Sequence, residues 1–521
     1  MVKKISVLAL AGLLALPAMA SAGAAASKHD MQSQVDDLTK QLQKLKAQLA
    51  DMDKDQKAKH SSLDERAGEW DLASRIKLNG DFRARGDFYS ADTKAFYPMF
   101  VPNAAGAMIQ NPGFTAGPAA AAYMPAGTYD NDTLFTNRFR MEMRAKALEN
   151  VEFKGRVAMY KAWGHQDNPA DGLGGMTTML MDGNASRQPN DSILRVDRAF
   201  VNWNNIGETP VWFSVGRRPT TDGPPNHLRM NNDDRMATPT AYMDWPFDGV
   251  SVGYAYNNLF GVDNMPGRVR VCWGRGFEDG LVEDNANNID DTDFAGVSWD
   301  IYKKGNRFAY IQSFMAFNVF NYPTSDTYDA MGQFYSSMMG PRNNIGNLLH
   351  TSGVYMDKYQ DLNYFASLGW SQTQPDDDGM FNTLTATNTS NENGYAIHVG
   401  VRYDIPNQPF KIGAEYNHGS EYWIGMTPGH DDLYASKLAT RGNVYEVYGI
   451  YDIPGGEAIS KFGKAFIRLG YQHYDYNYTG SGDWNMAPVD IDEVGNSMMN
   501  AQMAPPVESA DQVYATFEAY F

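Results

Sequence analysis

Cysteine is nearly missing from the 521 residues: Cys272 stands alone, so no internal disulfide can form. Beyond the N-terminus there is no run of about eighteen apolar residues, and the mean hydropathy of −0.48 excludes a bundle of membrane-spanning helices. Positive charge is in short supply, with 44 Lys and Arg against 62 Asp and Glu and a net charge of −18, and no nucleic-acid partner is expected. Catalytic signatures are missing as well. There is no His-Glu-x-x-His, no Cys-x-x-Cys-His, no Gly-x-Ser-x-Gly and no phosphate-cradling loop, so neither an enzyme nor a bound cofactor is expected. The nine His residues are scattered and imply no metal set; His398 is expected on a solvated wall beside Arg402.

Aromatic side chains, in contrast, reach 13 % of the chain, with 30 Tyr, 26 Phe and 10 Trp. The N-terminus has the order of a secretory signal, residues 1–22: basic Met1–Lys4, an apolar Ile5–Leu16, then Pro17 and the small-residue sites Ala18-Met19-Ala20 and Ala20-Ser21-Ala22. Export, polar mean hydropathy and abundant Tyr and Gly suit a transmembrane β-barrel, in which only alternate residues meet lipid and the hydropathy signal averages away.

Residues 23–70 follow a different period. Met31, Val35, Leu38, Leu42, Leu45, Leu49 and Met52 are spaced four and three apart, the seam of a short coiled coil. Self-association, as a trimer, is one reading; a solitary amphipathic helix is the other. Gly68 and Trp70 end the segment.

From 74 to 521 the period is two. Ile76, Leu78, Gly80, Phe82 and Ala84 alternate with Lys77, Asn79, Asp81, Arg83 and Arg85, and a hairpin about Glu149-Asn150 repeats the pattern on both arms. Strands of more than about ten residues fit tilted membrane spans better than a soluble sandwich. Sixteen candidate strands run from 75–88 and 134–148 to 463–478 and 511–521, with 348–357 the weakest, so that fourteen or eighteen remain open. Connections alternate between short turns and long polar loops. This asymmetry belongs to outer-membrane barrels, and it puts the turns and the coiled coil in the periplasm. At the C-terminus Val513, Ala515, Phe517, Ala519 and Phe521 form an apolar face ending on an aromatic. Phe517 and Phe521 resemble the signal read by the barrel assembly machinery, although Ala519 stands where an aromatic is more usual.

The coiled coil, Asn137-Arg138-Phe139-Arg140, Ala158-Met159-Tyr160-Lys161 with Trp163-Gly164, and the run from Gly216-Arg217-Arg218-Pro219 to Pro225 together resemble a porin-like outer-membrane family of unknown function from Gram-negative proteobacteria. The resemblance covers the mature chain and implies location and architecture, but no substrate.

The polar face of the first five strands gathers eleven cations, Lys77, Arg83, Arg85, Arg138, Arg140, Arg144, Lys146, Lys154, Arg156, Arg198 and Arg218, against Asp81, Glu142 and Glu152. Facing a pore, they would favour anions; pairing with carboxylates across strands and in loops is the alternative. The loop 219–246 joins the fifth and sixth strands and is expected to fold inward as a constriction carrying Asp222, His227, Arg229, Asp233, Asp234 and Arg235, with a rigid surface turn as the alternative. Acidic residues near Glu278, Glu283 and Asp290 are expected in an external loop, either solvated or bridged by divalent cations to lipopolysaccharide.

The function expected is a passive pore for small solutes or ions. A sleeve around a cytochrome electron conduit and a structural tether to the cell wall are the alternatives. Outer-membrane lipid, lipopolysaccharide, the assembly machinery and two further copies of the chain are the expected partners. For the coiled coil, replacing Leu42 and Leu45 by Asp should abolish self-association of a 23–70 fragment in the ultracentrifuge, because carboxylates in the seam cannot be buried. A wild-type fragment that is already monomeric would remove the trimeric reading.

Overall fold

A computed structural model of the chain describes residues 76–521 except 105–107, 165–188, 190–191, 219–222, 233–238, 240–241, 244–246, 260–261, 263, 279–288, 322–342, 428–431, 433–435 and 456–462, together with 36, 37, 39–44, 46, 47 and 54. The chain divides into two units, 1–74 and 75–521. In the first, the described residues are helical and exposed, Leu42 among them at 58 % exposure. The signal segment and the other seam positions, Val35, Leu38, Leu45, Leu49 and Met52, lie outside the described residues.

The second unit is a closed antiparallel barrel of sixteen strands. Strand β1 (Ile76–Thr93) leads through a small hairpin, β2 (Phe100–Pro102) and β3 (Met108–Gln110), to β4 (Gly127–Lys146). The wall continues with β5 (Val151–Ala162), β6 (Arg195–Trp203), β7 (Val211–Arg218), β8 (Phe247–Tyr256), β9 (Gly267–Phe277), β10 (Thr292–Lys304) and β11 (Arg307–Phe320). It is completed by β12 (Asn344–Tyr359), β13 (Leu362–Pro375), β14 (Asn393–Asp404), β15 (Phe410–Gly419), β16 (Gly442–Asp452), β17 (Lys464–Tyr476) and β18 (Val507–Tyr520). Each strand pairs with its chain neighbour, and β18 closes on β1 with Phe82 opposite Ala519 and Arg85 opposite Thr516. At the seam the amides and carbonyls of Gly80 and Phe521 exchange two hydrogen bonds of 3.0 Å.

All sixteen expected strands are present, and 348–357 is part of the sixteen-residue β12. The ends are where sequence and structure differ. β1 runs on to Thr93 and β4 starts at Gly127, with Tyr89 opposite Asn131 and Thr93 opposite Gly127. Thr128, Asp130, Asn131 and Asp132 show no apolar alternation, and all are exposed. A ladder that rises above the lipid keeps its backbone bonds but loses the period that the lipid imposes.

Alternation sorts the wall into two faces. Leu78 (63 % exposed), Val271 (60 %), Leu368 (62 %) and Leu469 (59 %) point out, whereas Arg83 (0 %), Glu446 (2 %) and Arg468 (1 %) point in. An exterior this rich in exposed Leu, Val and Phe is a surface for hydrocarbon, not for water. Gly216 of the Gly-Arg-Arg-Pro run has φ +119°, and a Cβ there would lie 2.3 Å from the carbonyl oxygen of Ala199, so β6 and β7 can meet only if this residue is glycine.

The seam has the same requirement at Gly80, where a Cβ would lie 2.6 Å from the Arg140 carbonyl and 2.8 Å from the Phe521 ring. Gly80→Val should therefore cost about 1–3 kcal/mol through overpacking, seen as loss of the heat-modifiable fast band on cold SDS gels. Gly449→Ala, where a Cβ meets nothing within 4 Å, should leave that band intact.

Candidate functional site

The interior is built from the inward positions of the strands and from loops that return into it. Residues 223–231 of the loop after β7 are buried, and they cross to the opposite wall. The Leu228 carbonyl accepts a 2.9 Å bond from Arg402 on β14, the Arg229 carbonyl a 2.9 Å bond from Arg468 on β17, and the Asn231 carbonyl a bond from Lys464. Asn231 also accepts from Lys411 on β15 at 2.6 Å and donates to Asp452 at 2.6 Å. Cationic side chains thus cap carbonyls that an irregular segment cannot satisfy by itself.

Arg229 is the pin of this loop. Its guanidinium lies 2.7 Å from Asp432, in the loop after β15, and 2.9 Å from Glu446 on β16. Glu446 also accepts from Lys437 at 2.6 Å and from the Tyr514 hydroxyl at 2.6 Å, while Gln472 donates to Asp432 at 2.8 Å. Lys437 reaches on to Glu415, whose carboxylate is 3.1 Å from Nε2 of His398. Every member is almost fully withdrawn from water. At such depth a charge survives only with its counter-charge in contact. His398 is accordingly a packed network residue, edge-on to Phe365 and Tyr242, and not the solvated wall residue that the sequence implied. Leu228 completes the seal by packing on Phe308, Tyr310, Val354, Met356 and Phe365.

At the end where the long loops emerge, Met243, Ile289, Met380, Phe381, Ile424, Met426 and Trp484 converge in one apolar cluster with Phe294 and Phe320. Arg441, just before β16, donates to the carbonyls of Trp423, Thr479 and Asp483. Burial pulls this guanidinium down to about 10, partly offset by Asp483, whose own carboxyl burial pushes up. Glu278, Asp291 and Asp293 of the expected acidic loop close on Arg275.

The eleven cations read from the sequence have unequal fates. Six are held by carboxylates. Arg138 and Arg140 share Asp81 at 3.1 and 2.8 Å, Arg85 takes Asp87 at 2.8 Å and Lys154 takes Glu152 at 3.1 Å. Arg156 takes Asp197 at 2.8 Å, and Arg198 takes Glu142 at 3.0 Å. Arg83 donates to the Tyr160 hydroxyl, and Arg218 lies against the rings of Phe200 and Trp212. Lys77, Arg144 and Lys146 are exposed. Of the expected constriction residues, His227 and Arg229 are buried in the inward loop; Asp222, Asp233, Asp234 and Arg235 lie outside the described residues.

Among the carboxylates that escaped the sequence reading, three differ in how legible they were. Asp87 lies within the first expected strand, 75–88, and shares the inward parity of Arg83 and Arg85, so it was legible by continuing the alternation one step past Arg85. Glu446 is a lone acid on a face with Val444, Tyr448 and Ile450, which is itself a signal. Asp197 could not be found by parity, because a bulge opposite Arg156 and Val157 turns it inward. At the short-turn end a cavity of about 790 Å³ remains, lined by Lys146, Glu149, Asn150, Glu152, Asn204, Asn205 and Glu208.

A closed wall, apolar outside and polar inside, with a loop laid across its interior, defines a porin-like transmembrane β-barrel. The chain belongs to DUF3373, a family of proteins of unknown function, which it matches over residues 128–521. No curated protein matches it. Similar solved structures, each spanning 86 % of this chain, include the anion-selective porin from Comamonas acidovorans (11 % identity, 99 % of that chain, TM-score 0.40). Others are Salmonella typhi OmpF in complex with daunomycin (11 %, 97 %, 0.39) and in-vitro folded OmpT of Vibrio cholerae (12 %, 97 %, 0.38).

Removing one partner of a buried ion network leaves the others uncompensated. Arg229→Gln should cost about 3–5 kcal/mol in the free energy that holds the loop. It is expected to raise single-channel conductance and to open the 223–232 segment to protease, whereas Arg144→Gln at an exposed position should do neither.

Proposed function

We propose that this protein is an outer-membrane pore for the passive passage of small hydrophilic solutes, favouring anions, and not an enzyme. The observation that carries the reading is the interior itself. A polar lumen is narrowed by an inward loop pinned to β14–β17, while Lys146, at the cavity of the short-turn end, and Arg144, on the same inward face of β4, remain exposed. A loop locked across the barrel by Arg229 occupies space that a cytochrome would need, which speaks against the sleeve. A pore closed by its loops would instead be a structural tether, and conductance separates the two. The coiled coil is proposed to stand in the periplasm as part of a homotrimer, and Phe517 and Phe521, both exposed on the outer face, to serve the assembly machinery.

Because six of the eleven cations are neutralised by carboxylates, selectivity should rest on the exposed ones. Reconstituted in planar bilayers, the protein should show anion preference in dilute KCl that fades in concentrated KCl, as the screening length falls from about 10 Å at 0.1 M to about 3 Å at 1 M. Arg144→Glu with Lys146→Glu should shift the reversal potential toward cation preference without loss of folding, since neither side chain is buried. A folded double variant with an unchanged reversal potential would mean that the ion path avoids these positions. Absence of any conductance would leave the tether.

A further inference from the structure

Most of the buried inward cations are matched by carboxylates, and one stretch of wall has fewer carboxylates than cations. On β7 to β10 the described inward side chains include Arg218, Arg268 and Arg270 against one carboxylate, Asp300, and Asp300 is taken by Arg268. Arg270 is 6 % exposed and, among the described residues, donates to the hydroxyls of Ser298 at 2.6 Å and Tyr310 at 3.3 Å. Among the described residues the buried Nη1 of Arg218 has no hydrogen-bond partner, and its guanidinium lies 5.8 Å from the ring centroids of Phe200 and Trp212. The buried Ser214 hydroxyl is also without a hydrogen-bond partner among the described residues. Ser251, opposite Ser214, donates to Cys272 at 3.2 Å, and the Arg218 guanidinium lies against Trp212, which is opposite Gly253, itself opposite Arg270.

A buried guanidinium, Arg270, and a half-buried one, Arg218, with no carboxylate bonded to them among the described residues are costly, and forked donors beside a hydroxyl have the geometry that takes an oxyanion. We propose that this wall holds a binding site for a tetrahedral oxyanion of the sulfate or phosphate class, with Arg218 and Arg270 supplying charge, Ser214 a hydroxyl, and Cys272 standing at its edge. The site is a station on the anion path and rests on the water-filled lumen proposed above.

Cys272 is the one thiol of the chain and half-buried, which makes it a reporter that needs no mutation. In the full protein in liposomes, an anionic sulfonatoethyl methanethiosulfonate should modify it about tenfold faster than the cationic trimethylammonium analogue at 0.1 M salt, as expected for a positive wall that concentrates anions. Sodium sulfate or phosphate should slow the reaction relative to sodium chloride of equal ionic strength. Arg218→Gln with Arg270→Gln, checked for folding by heat-modifiable mobility, should remove both effects. Equal rates for the two reagents with no protection by sulfate or phosphate in the wild type would overturn the site while leaving the pore standing. Failure of both reagents to reach Cys272 in the folded protein, with full labelling after denaturation, would overturn site and pore together.

Discussion

Every backbone amide in hydrocarbon must find its partner within the protein, and this one constraint organises the molecule. A sheet can meet it only by having no edge, so β18 must return to β1, and the last residue, Phe521, pairs with Gly80 at the position where a side chain would hold the strands apart. Closure then fixes everything else about the wall. Once the sheet is a ring, period-two alternation becomes a division between lipid and interior, and the loops are sorted into short turns at one end and long excursions at the other.

Closure also creates the difficulty that the interior solves. Sixteen strands enclose more space than their own inward side chains fill, and a chain that sends Arg, Lys, Asp and Glu inward must either wet them or pair them. Here the two halves of the wall do so differently. On β14–β18 the loop after β7 enters, its carbonyls are capped by Arg402, Arg468 and Lys464, and Arg229 is fixed between Asp432 and Glu446. On β4–β6 the cations mostly pair with neighbours on adjacent strands, leaving Arg144 and Lys146 exposed. The first half supplies shape and rigidity, the second charge facing water.

The uncompensated wall of β7–β9 belongs to neither half. Its serines, glycines and lone cysteine leave little bulk, and while Arg268 takes Asp300, Arg218 and Arg270 have hydroxyls and rings for company among the described residues. In a lumen where guanidinium groups such as Arg138, Arg140, Arg156 and Arg229 are matched to carboxylates, this difference separates a structural charge from one available to a solute.

What the sequence determined by itself is the wall. Alternation along Ile76–Arg85 and Val513–Phe521 and the loop asymmetry point to a transmembrane barrel with sixteen candidate strands, and the stiff run before Pro225 points to a loop that could turn inward, because lipid imposes its period on every residue that touches it. Strand ends were less legible, since Asp130 to Thr133 rise above the lipid and escape that period. What only the tertiary structure decided is the fate of each charge. Arg140 and Arg144 share one face of β4 and look alike in the sequence, yet one is buried against Asp81 and the other is exposed. Arg229 meets Glu446 across 217 residues of chain, and Asp197 is turned inward by a bulge. Electrostatic pairing in a closed interior depends on which strands face each other across the lumen, and that juxtaposition is a property of the ring and not of any segment within it.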